Sequence, residues 1–411
     1  MKGCVWYISK YVAPPTDGSA GGRGYVLMRE ISKLGYESII IASDSNQLTP
    51  VPTLTGPHLK ESSDNFTVLW LRTAKYRIAK SIKRIWSWVD FEFRLLLAPL
   101  GSLPKPDVIV VSSLSLLTVF NGLRLRRRFR SRLVFEVRDI WPLTITEEGG
   151  FGVRNPLVLA LGMVERLGYR TADAIVGTMP NLGEHVAKVL GRPAPTHCIP
   201  MGVDEVAITD GVPLPEDYAR QHLPRGKFVV GYVGTIGITN ALDTLLECVR
   251  AMRHVDSVHF LIVGDGDLRA RYQSECSDLS NITFAPKVGK QMVQSVLEHC
   301  DLLYFSTYDS EVWKYGQSLN KVIDYMYSGR PIVASFNGFP SMINEADCGS
   351  FVPAGDAEAL RVEIERYAAM DAHERREIGE RGHRWLKQHR SYPQLAKDYV
   401  EVLFPADARS A

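Results

Sequence analysis

Short apolar runs alternate with longer amphipathic stretches along nearly the whole chain. The runs are almost continuously apolar, which is typical of parallel strands buried on both faces. They cover residues 5–9, 38–42, 67–71, 108–111, 133–137 and 174–176 in the first half, and 228–233, 259–263, 282–284, 302–305 and 332–334 in the second. Helical periodicity between them, as at 25–34 and 241–253, predicts crossover helices. The alternation predicts an α/β protein with two doubly wound parallel-sheet domains.

A polar stretch with three prolines, residues 206–225, separates the two series of strands, and we predict the interdomain linker there. The predicted domains are therefore 1–205 and 206–390, followed by a terminal helix within 391–411. This helix has no sheet of its own and must pack on another element. The chain has 411 residues, 45% of them hydrophobic, which suffices for two buried cores.

The two halves differ in charge, although the whole chain carries a net charge of only +2. Residues 1–205 contain 26 Lys and Arg against 18 Asp and Glu, whereas residues 206–411 contain 22 against 28. The resulting net charges of +8 and −6 predict an anionic partner for the first half. No run of about 20 uncharged apolar residues occurs, so we expect no membrane span. The six cysteines form no CxxC pair and no signal-peptide pattern is present, so we expect a cytoplasmic protein.

The stretch YGQSLNKVIDYMYSGRPIVAS at 315–335 predicts a polar loop, a helix and a buried strand. The free N–H groups and positive dipole at the start of such a helix suit an anion such as phosphate. Asn320 and Lys321 can add side-chain donors, and Asp324, one turn further on the same side, can bind two vicinal hydroxyls. The combination suits the diphosphate and ribose of a nucleotide. The alternative is an ordinary loop, helix and strand.

Three glycine-bearing turns follow predicted strands. In APPTDGSAGGRG at 13–24, Gly21 and Gly22 precede a helix and allow a ligand to approach the backbone, unless the segment is merely a flexible surface loop. The turns in FVVGYVGTIG at 228–237 and LIVGDGDLR at 261–269 would lie at adjacent strand ends and line one crevice. The loop at 13–24 does not have the GxGxxG spacing of a NAD site, and no acidic residue ends a second strand as NAD binding requires, which disfavours a NAD module.

The segment FEVRDIWPLTITEEGG at 135–150 brings Arg138 and Asp139 to the carboxyl edge of the first sheet, where α/β proteins bind ligands. The alternative is an ion pair between these two residues that braces the loop. The ten histidines form neither HxxxH nor HExxH, so we expect no metal site.

Two basic segments lie in the first half. Residues 72–94 combine cations with aromatic residues and with apolar residues at helical spacing, as in helices that lie on anionic bilayers. These cations are Lys75, Arg77, Lys80, Lys83 and Arg84, and the second segment is RLRRRFRSR at 124–132. The alternative is a core-packed helix with a solvated face. Nucleic-acid binding is disfavoured, because the overall charge is near neutral and no recognition motif occurs.

The motifs occur in an order that resembles the family 4 glycosyltransferases with the GT-B fold. The marks are the loop with Gly21 and Gly22, VRDIWP at 137–142, IPMGVD at 199–204, GYVGTIG at 231–237, VGDGDLR at 263–269 and SLNKVIDYMYSGRPIVAS at 318–335. The resemblance covers nearly the whole chain. The chain looks closest to the bacterial branch that builds O-antigen or capsule repeat units, often with amino sugars.

This resemblance implies two Rossmann-like domains facing a cleft, with the nucleotide-sugar in the second domain, the acceptor in the first, and the terminal helix crossing back to the first. It implies a metal-independent transfer of a sugar, expected to be an acetamido sugar, with retention at the anomeric carbon. The expected donor is a UDP-sugar, without a cofactor. The expected acceptor is a polyprenyl-diphosphate-linked saccharide, which implies peripheral association with the cytoplasmic face of the inner membrane.

By position, the resemblance assigns Asp324 to the second acid of the family's paired-acid motif, which binds the ribose. Backbone N–H groups of the loop at 317–320, which comprises Gln317, Ser318, Leu319 and Asn320, would hold the diphosphate, and Gly22 would approach it from the first domain. The other donor-side positions are Gly234, Thr235, Gly264, Gly266 and, against the base, Val288.

The chain departs from the family pattern at the cationic and acidic positions. The first acid of the pair falls at Gly316, the usual Arg after the glycine turn is Thr235, and the usual diphosphate Lys lies near Asn240. We hypothesise that Lys321, with Arg23, replaces part of this charge, because the leaving diphosphate must be stabilised as the glycosidic bond breaks.

In the implied mechanism the leaving diphosphate deprotonates the incoming hydroxyl on the same face, which gives retention. Asp139 would orient the acceptor, Arg138 would hold its phosphate or sugar, and Glu311 is the candidate contact to the donor sugar in place of the missing acid. Two other functions remain open at this point. One is a nucleotide-sugar 2-epimerase, which acts without an acceptor, and the other is a non-catalytic nucleotide-sugar-binding assembly subunit.

Overall fold

The structure, a computed structural model, describes residues 2–16, 18–46, 49–76, 82–147, 149–209 and 211–406. The chain divides into two compact units. Unit 1 comprises Met1–Gly202 together with Tyr392–Ala411, and unit 2 comprises Val203–Ser391. The domain ends predicted from the sequence were residues 205 and 390.

The described part of unit 1 contains an eight-stranded sheet. Its strands are β1 (Cys4–Ile8), β2 (Glu37–Ser43), β3 (His58–Ser63), β4 (Phe66–Leu71), β5 (Val108–Ser112), β6 (Arg132–Val137), β7 (Ala174–Gly177) and β8 (Thr196–Cys198). The order is β3-β4-β2-β1-β5-β6-β7-β8, and only the β3–β4 pair is antiparallel. The direction in which strands are added therefore reverses between β1 and β5.

The described part of unit 2 contains a six-stranded, wholly parallel sheet. Its strands are β9 (Phe228–Val233), β10 (Val258–Val263), β11 (Ile282–Ala285), β12 (Leu302–Ser306), β13 (Ile332–Ser335) and β14 (Gly349–Val352). The order is β11-β10-β9-β12-β13-β14, so the reversal lies between β9 and β12. This is the doubly wound order of dinucleotide-binding sheets, and it confirms the predicted fold class.

Helices connect the strands in both units. In chain order they are α1 (Arg23–Lys33), α2 (Ile82–Leu97), α3 (Thr118–Phe129), α4 (Leu143–Glu147), α5 (Pro156–Thr171), α6 (Leu182–Leu190), α7 (Glu205–Thr209), α8 (Glu216–His222), α9 (Asp243–Ala251), α10 (Arg269–Glu275), α11 (Val293–Leu297), α12 (Asn320–Tyr327), α13 (Met342–Ala346), α14 (Ala357–Ala369), α15 (Ala372–His389) and α16 (Tyr392–Leu403).

The apolar pattern located the buried strands and missed the exposed ones. Strands β1, β2, β4 and β5 are buried along their whole length, as continuous apolar runs predict. The six residues of β3 are all exposed and mostly polar, so no apolar period marks them. This strand forms because it lies at the sheet edge, where it pairs with β4. The short strands β8 and β14 were also not predicted.

Two further segments lie within the units. Helix α16 belongs to unit 1, where Leu395, Ala396 and Tyr399 join the same buried cluster as Leu27 and Ile31 of α1. The prediction of a linker at 206–225 is wrong, because this segment belongs to unit 2 and contains α8. Two of its prolines flank this helix, since Pro215 is the N-cap of α8 and Pro224 directly follows the C-cap Leu223.

Candidate functional site

A cavity of about 670 Å³ lies at the carboxyl edge of the unit 2 sheet, beside the reversal between β9 and β12. The ends of three neighbouring strands and the first turn of α12 form its walls. They contribute Val233, Gly234 and Thr235 at β9, Val263, Gly264, Asp265, Gly266 and Asp267 at β10, Lys287, Val288 and Val293 beyond β11, and Lys321 and Asp324 on α12. Doubly wound sheets bind their ligands at this place. The cavity thus brings together seven of the predicted donor-side residues.

Two glycines allow the turns after β9 and β10 to meet. A Cβ atom at Gly264 would lie 1.9 Å from the carbonyl oxygen of Gly234, and one at Gly266 would lie 2.3 Å from that of Ile236. Only glycine fits such contacts, because they join backbone to backbone. The prediction that the two glycine turns line one crevice is confirmed.

Helix α12 begins directly after the loop predicted to hold a diphosphate. Its N-cap is Leu319, and no side chain of the described residues caps it, so the N–H groups of its first turn can bind an anion. Gly316 enters this loop with a φ of +101°, a conformation that favours glycine. A glutamate would be strained at this position, which is a physical reason why the first acid of the family pair is absent.

The side chain of Lys321 is largely buried against this cavity. Its Nζ donates to Oδ1 of Asn240 and, at 3.2 Å, to the hydroxyl of Tyr232, and lies 4.9 Å from the centre of the Tyr232 ring. Burial lowers the pKa of Lys321 to about 8, and each of these partners is neutral. Because the family's diphosphate Lys falls near Asn240, Lys321 brings an ammonium group to that place from a different element.

Both carboxylate oxygens of Asp324 accept hydrogen bonds from Nζ of Lys290, at 2.6 and 2.7 Å. The side chain of Asp324 is 16% exposed, and burial raises its pKa while Lys290 opposes the rise. A ribose that binds this carboxylate must share it with Lys290 or displace Lys290. The sequence analysis missed Lys290, because no local pattern relates it to a residue 34 positions further along the chain.

Gln317, in the loop before α12, is a second residue that the sequence analysis missed as a side-chain ligand. It is 6% exposed, and neither Oε1 nor Nε2 has a hydrogen-bond partner in the described part of the chain. Buried amides are normally satisfied, so this one lacks a partner that a ligand or a water molecule can supply. A polar amide beside a predicted anion-binding helix start was the signal available.

The remaining predicted donor-side residues of unit 2 lie outside the cavity wall. Ser318 and Leu319 are half-buried in the loop, and Asn320 is exposed at the start of α12. Glu311 lies in a 3-10 turn, Glu311–Tyr315, and forms an ion pair with Lys314 of the same turn. Its contact with a donor sugar stays a prediction.

In unit 1, the glycine loop leads into α1 as predicted. Gly21 has a φ of +107°, and Gly22 is the N-cap of the helix. The N–H of Gly22 donates to the carbonyl of Ala13 at 2.9 Å, and no side chain among the described residues caps α1. The first turn of α1 is therefore a second uncapped helix start, and the approach of Gly22 to a diphosphate stays a prediction.

Arg23 does not face a ligand site, so the prediction that it helps to stabilise the diphosphate is wrong. Its guanidinium is 0% exposed and bonds to the Glu136 carboxylate at 2.5 Å and to the carbonyls of Ile199 and Pro200 at 2.6 and 3.1 Å. Burial alone would raise the pKa of Glu136, but Arg23, with Arg138 and other donors, holds it below its ordinary value. Arg23 is turned inward because this buried carboxylate requires a counter-charge.

Arg138 and Asp139 directly follow β6, so their predicted position at the carboxyl edge of the unit 1 sheet is confirmed. Within the described residues no ion pair joins them. The Ser113 hydroxyl instead holds the turn by accepting from the N–H of Arg138 at 2.9 Å and from that of Asp139 at 3.4 Å. The Asp139 side chain is exposed, and the Arg138 guanidinium lies 3.6 Å from the Met201 sulfur. The alternative of a bracing ion pair is therefore wrong.

Comparison with protein families and solved structures agrees with this geometry. Residues 25–202 match the "Glycosyl transferase 4-like domain", and residues 227–369 match "Glycosyl transferases group 1". The chain is a two-domain glycosyltransferase. A comparison with curated protein sequences finds no match.

Solved glycosyltransferases share the fold of the whole chain. Sucrose-phosphate synthase from Thermosynechococcus elongatus is similar with a TM-score of 0.70 at 18% identity, covering 99% of this chain and 100% of the other. "Trehalose-6-phosphate from E. coli bound with UDP-2-fluoro glucose" gives 0.70 at 13% identity, covering 97% and 98%. HepE from Anabaena in complex with UDP gives 0.63 at 15% identity, covering 98% and 99%. These likenesses establish the GT-B fold.

Among the described residues, no group of three or more His, Cys, Asp or Glu side chains is arranged to hold a metal ion. No helix in the same residues is long and apolar enough to cross a membrane.

Proposed function

We propose that this glycosyltransferase moves a sugar from a UDP-sugar to a polyprenyl-diphosphate-linked saccharide, with retention at the anomeric carbon. The transferred sugar is an acetamido sugar, and the product belongs to a bacterial surface polysaccharide such as O-antigen or capsule. The enzyme needs no metal ion and works at the cytoplasmic face of the inner membrane. One observation carries the donor half of the proposal. At the switch point of unit 2, a cavity brings together a carboxylate, a helix start and an ammonium group, and among the described residues no side chain caps this helix and no carboxylate pairs with this ammonium.

The donor-side residues of unit 2 bind different parts of the nucleotide-sugar. Asp324 accepts hydrogen bonds from the ribose hydroxyls, while Gly264 and Gly266 border the nucleotide. The first turn of α12 and Lys321 bind the diphosphate, because both offer positive charge to an anion. Structures of other GT-B enzymes with bound UDP and UDP-2-fluoro glucose support the choice of nucleotide.

The reaction breaks the bond between the anomeric carbon and the diphosphate oxygen of the donor. The acceptor hydroxyl oxygen forms the new bond on the same face, and its proton passes to an oxygen of the leaving UDP. Negative charge grows on the diphosphate during this step, so Lys321 and the α12 N–H groups stabilise the transition state more than the bound donor. Asp139 orients the acceptor hydroxyl, and Arg138 holds the acceptor's phosphate or sugar.

The membrane part of the proposal is supported by α2. The helix buries Phe91 and Leu95 in unit 1, but its other face leaves Trp86, Phe93 and Leu97 between 54% and 64% exposed. Apolar side chains near basic residues suit the boundary of an anionic bilayer. The predicted contacts of Arg77 and Lys80 lie outside the described residues.

Thermal unfolding with UDP, GDP, ADP or NAD tests the donor half. A ligand at 100 times its dissociation constant adds about 2.7 kcal/mol of stability, which is on the order of 5–10 °C for a unit of this size. We expect UDP to stabilise the wild type and to lose this effect in Asp324→Ala, while the other ligands have little effect. No shift with UDP would overturn the proposal. Incubation of the UDP-sugar without acceptor then separates transfer from 2-epimerisation, which needs no acceptor.

Binding to vesicles tests the membrane half. We expect Trp86→Ser with Phe93→Ser to abolish binding to phosphatidylglycerol vesicles, and Lys83→Glu to weaken it. Val362→Ser is the matched control, because Val362 is an apolar residue 52% exposed on α14 of unit 2. Undiminished binding of the α2 variants, or equal loss in the control, would contradict a membrane surface on α2.

A further inference from the structure

A second cavity, of about 630 Å³, lies in unit 1 between the C-terminal ends of α3 and α5. It is adjacent to the amino ends of β6 and β7, since Ser131 and Asp173 in its wall directly precede these strands. Arg138 lies at the carboxyl end of β6, seven residues beyond Ser131, which is about 20 Å away along an extended chain. The cavity is therefore separate from the residues assigned to the acceptor.

Arginine dominates the wall of this cavity. Four arginines line it, Arg126, Arg127, Arg130 and Arg170, against one carboxylate, Asp173. That carboxylate is already engaged, because it accepts from Arg126 at 2.6 Å and from the N–H of Leu133 at 2.8 Å. Four positive charges and one negative charge leave a net +3 around the cavity.

Three of these arginines have no counter-ion. In the part of the chain that the structure describes, Arg127, Arg130 and Arg170 make neither an ion pair nor a side-chain hydrogen bond, and all three are exposed. Arg127 of α3 and Arg170 of α5 lie in the last turns of their helices, where a cation also stabilises the helix dipole. This stabilisation needs no hydrogen bond from the guanidinium, so both side chains remain able to bind a ligand. Arg126 instead donates to the carbonyl of Thr171 at 2.6 Å.

Arg130 also occupies a backbone position that usually favours glycine. It is the C-cap of α3, with a φ of +55° and a ψ of +42° in the left-handed region. A glycine or asparagine would adopt this conformation more readily. The chain instead places a guanidinium there, beside the cavity.

We propose that this cavity binds a phosphate-bearing ligand with at least two negative charges, such as a diphosphate. Guanidinium groups match phosphate oxygens in pairs of parallel hydrogen bonds, and three unpaired guanidinium groups can neutralise a diphosphate. The volume lies in the range of small-ligand sites. The ligand is either a soluble diphosphate or a phosphorylated lipid headgroup, since both present the same oxygens. The proposal does not depend on the function proposed for unit 2.

Binding of inorganic pyrophosphate by calorimetry tests this site at low and physiological salt. We expect Arg127→Gln and Arg170→Gln each to weaken binding about 10-fold or more, because each removes a charged hydrogen-bonding group. Arg166→Gln is the matched control: it removes the same charge from the exposed face of α5, one turn away and outside the cavity wall. All three arginines are exposed, so the folded state should tolerate each change, and melting temperatures check this.

Binding to vesicles that contain or lack phosphatidic acid distinguishes a soluble diphosphate from a lipid headgroup. A soluble ligand is indicated if pyrophosphate binding needs Arg127 and Arg170 while vesicle binding does not. A headgroup is indicated if vesicle binding needs both arginines and not Arg166. Equal losses for all three variants in both assays would overturn the proposal, because they indicate general attraction to a basic surface. Absence of an effect of Arg127→Gln and Arg170→Gln in both assays would also overturn it.

Discussion

The helix starts of α1 in unit 1 and α12 in unit 2 are built from the same parts, but their cations have different partners. Each follows a loop with a glycine at positive φ, Gly21 at +107° and Gly316 at +101°. Neither is capped by a side chain of the described residues, and each has a cation in its first turn, Arg23 or Lys321. From the sequence, both cations had the same predicted role at a diphosphate.

The difference comes from the partner that each cation meets. Arg23 meets the buried carboxylate of Glu136, so its charge is balanced inside unit 1. Within the described parts of the chain, Lys321 bonds to the amide of Asn240 and the phenol of Tyr232 and to no carboxylate, and burial lowers its pKa. A buried ammonium without a counter-ion gains most from an incoming anion. A cation at a helix start is therefore available for ligand binding when no carboxylate of its own chain reaches it.

The largest expected effect is on folding, in Arg23→Met. This change removes the arginine that pairs directly with the buried Glu136 carboxylate, so we expect the free energy of unfolding to fall by about 3–5 kcal/mol. Urea unfolding measures this loss. Adding Glu136→Gln should restore part of the stability, because the unpaired charge is then removed. UDP affinity of the folded fraction should not change. Near-normal stability together with lost UDP affinity would reverse the assignment of Arg23 to the core.

The second effect is on turnover, in Lys321→Ala. Removing one well-placed group that stabilises a developing charge typically lowers the rate by roughly 100- to 1000-fold. We expect that loss in transfer assays, with stability unchanged or higher, because a buried ammonium disfavours folding. The control Lys387→Ala removes an exposed lysine of α15 that lies outside the cavity wall. Turnover within about threefold of the wild type would exclude Lys321 from catalysis.

Local sequence was sufficient for much of the fold and for the outline of the donor site. Apolar runs locate buried parallel strands, and glycine turns at strand ends locate a crevice, so Gly234, Gly264 and Gly266 could be placed together from the sequence. Exposed edge strands such as β3 carry no apolar period and form only because a neighbour is present.

The partners of the charged residues could not be predicted in the same way. Arg23 and Glu136 are 113 positions apart, and Lys321 and Asn240 are 81 apart. No local period connects such pairs, because their contact depends on how strands are ordered in the sheet. For the same reason, the contact between Lys290 and Asp324 could not be predicted from the sequence. Residue type and helix position therefore predicted where the cations lie, and the topology decided which of them is neutralised.

The third effect is a pH dependence that separates Lys321 from Arg23. The pKa of Lys321 falls from its ordinary 10.5 to about 8 in the folded protein. Between these values the unfolded chain binds more protons, so stability of the ligand-free protein should rise as pH increases from about 8 to 10.5. UDP affinity should move the other way and fall above pH 8, approaching tenfold per pH unit, because the ammonium is lost.

Lys321→Met is the control for this dependence and should abolish both trends. Arg23→Met should retain both trends. The arginine that it removes stays charged over this pH range and therefore contributes to neither trend. Chemical denaturation and UDP titration across pH 7–10 measure them. Parallel rather than opposite trends in the wild type would contradict a buried ammonium that serves the ligand.

The smallest effect is expected at Gln317, the buried amide between Gly316 and α12. In Gln317→Leu the unsatisfied polar atoms are replaced by an apolar group of similar size, so the ligand-free protein should be as stable as the wild type or more stable. If the amide completes its hydrogen bonds with the donor, the KM for the UDP-sugar should rise about 5- to 10-fold, as expected for one lost hydrogen bond. Thermal unfolding without ligand measures the stability, and steady-state kinetics measure the KM.

Asn344→Leu is the control with the opposite expectation. The Asn344 side chain accepts from the N-cap N–H of α13 at 2.9 Å, so its loss should destabilise the protein without changing the KM. Destabilisation by Gln317→Leu with an unchanged KM would show that the amide is satisfied within the folded chain.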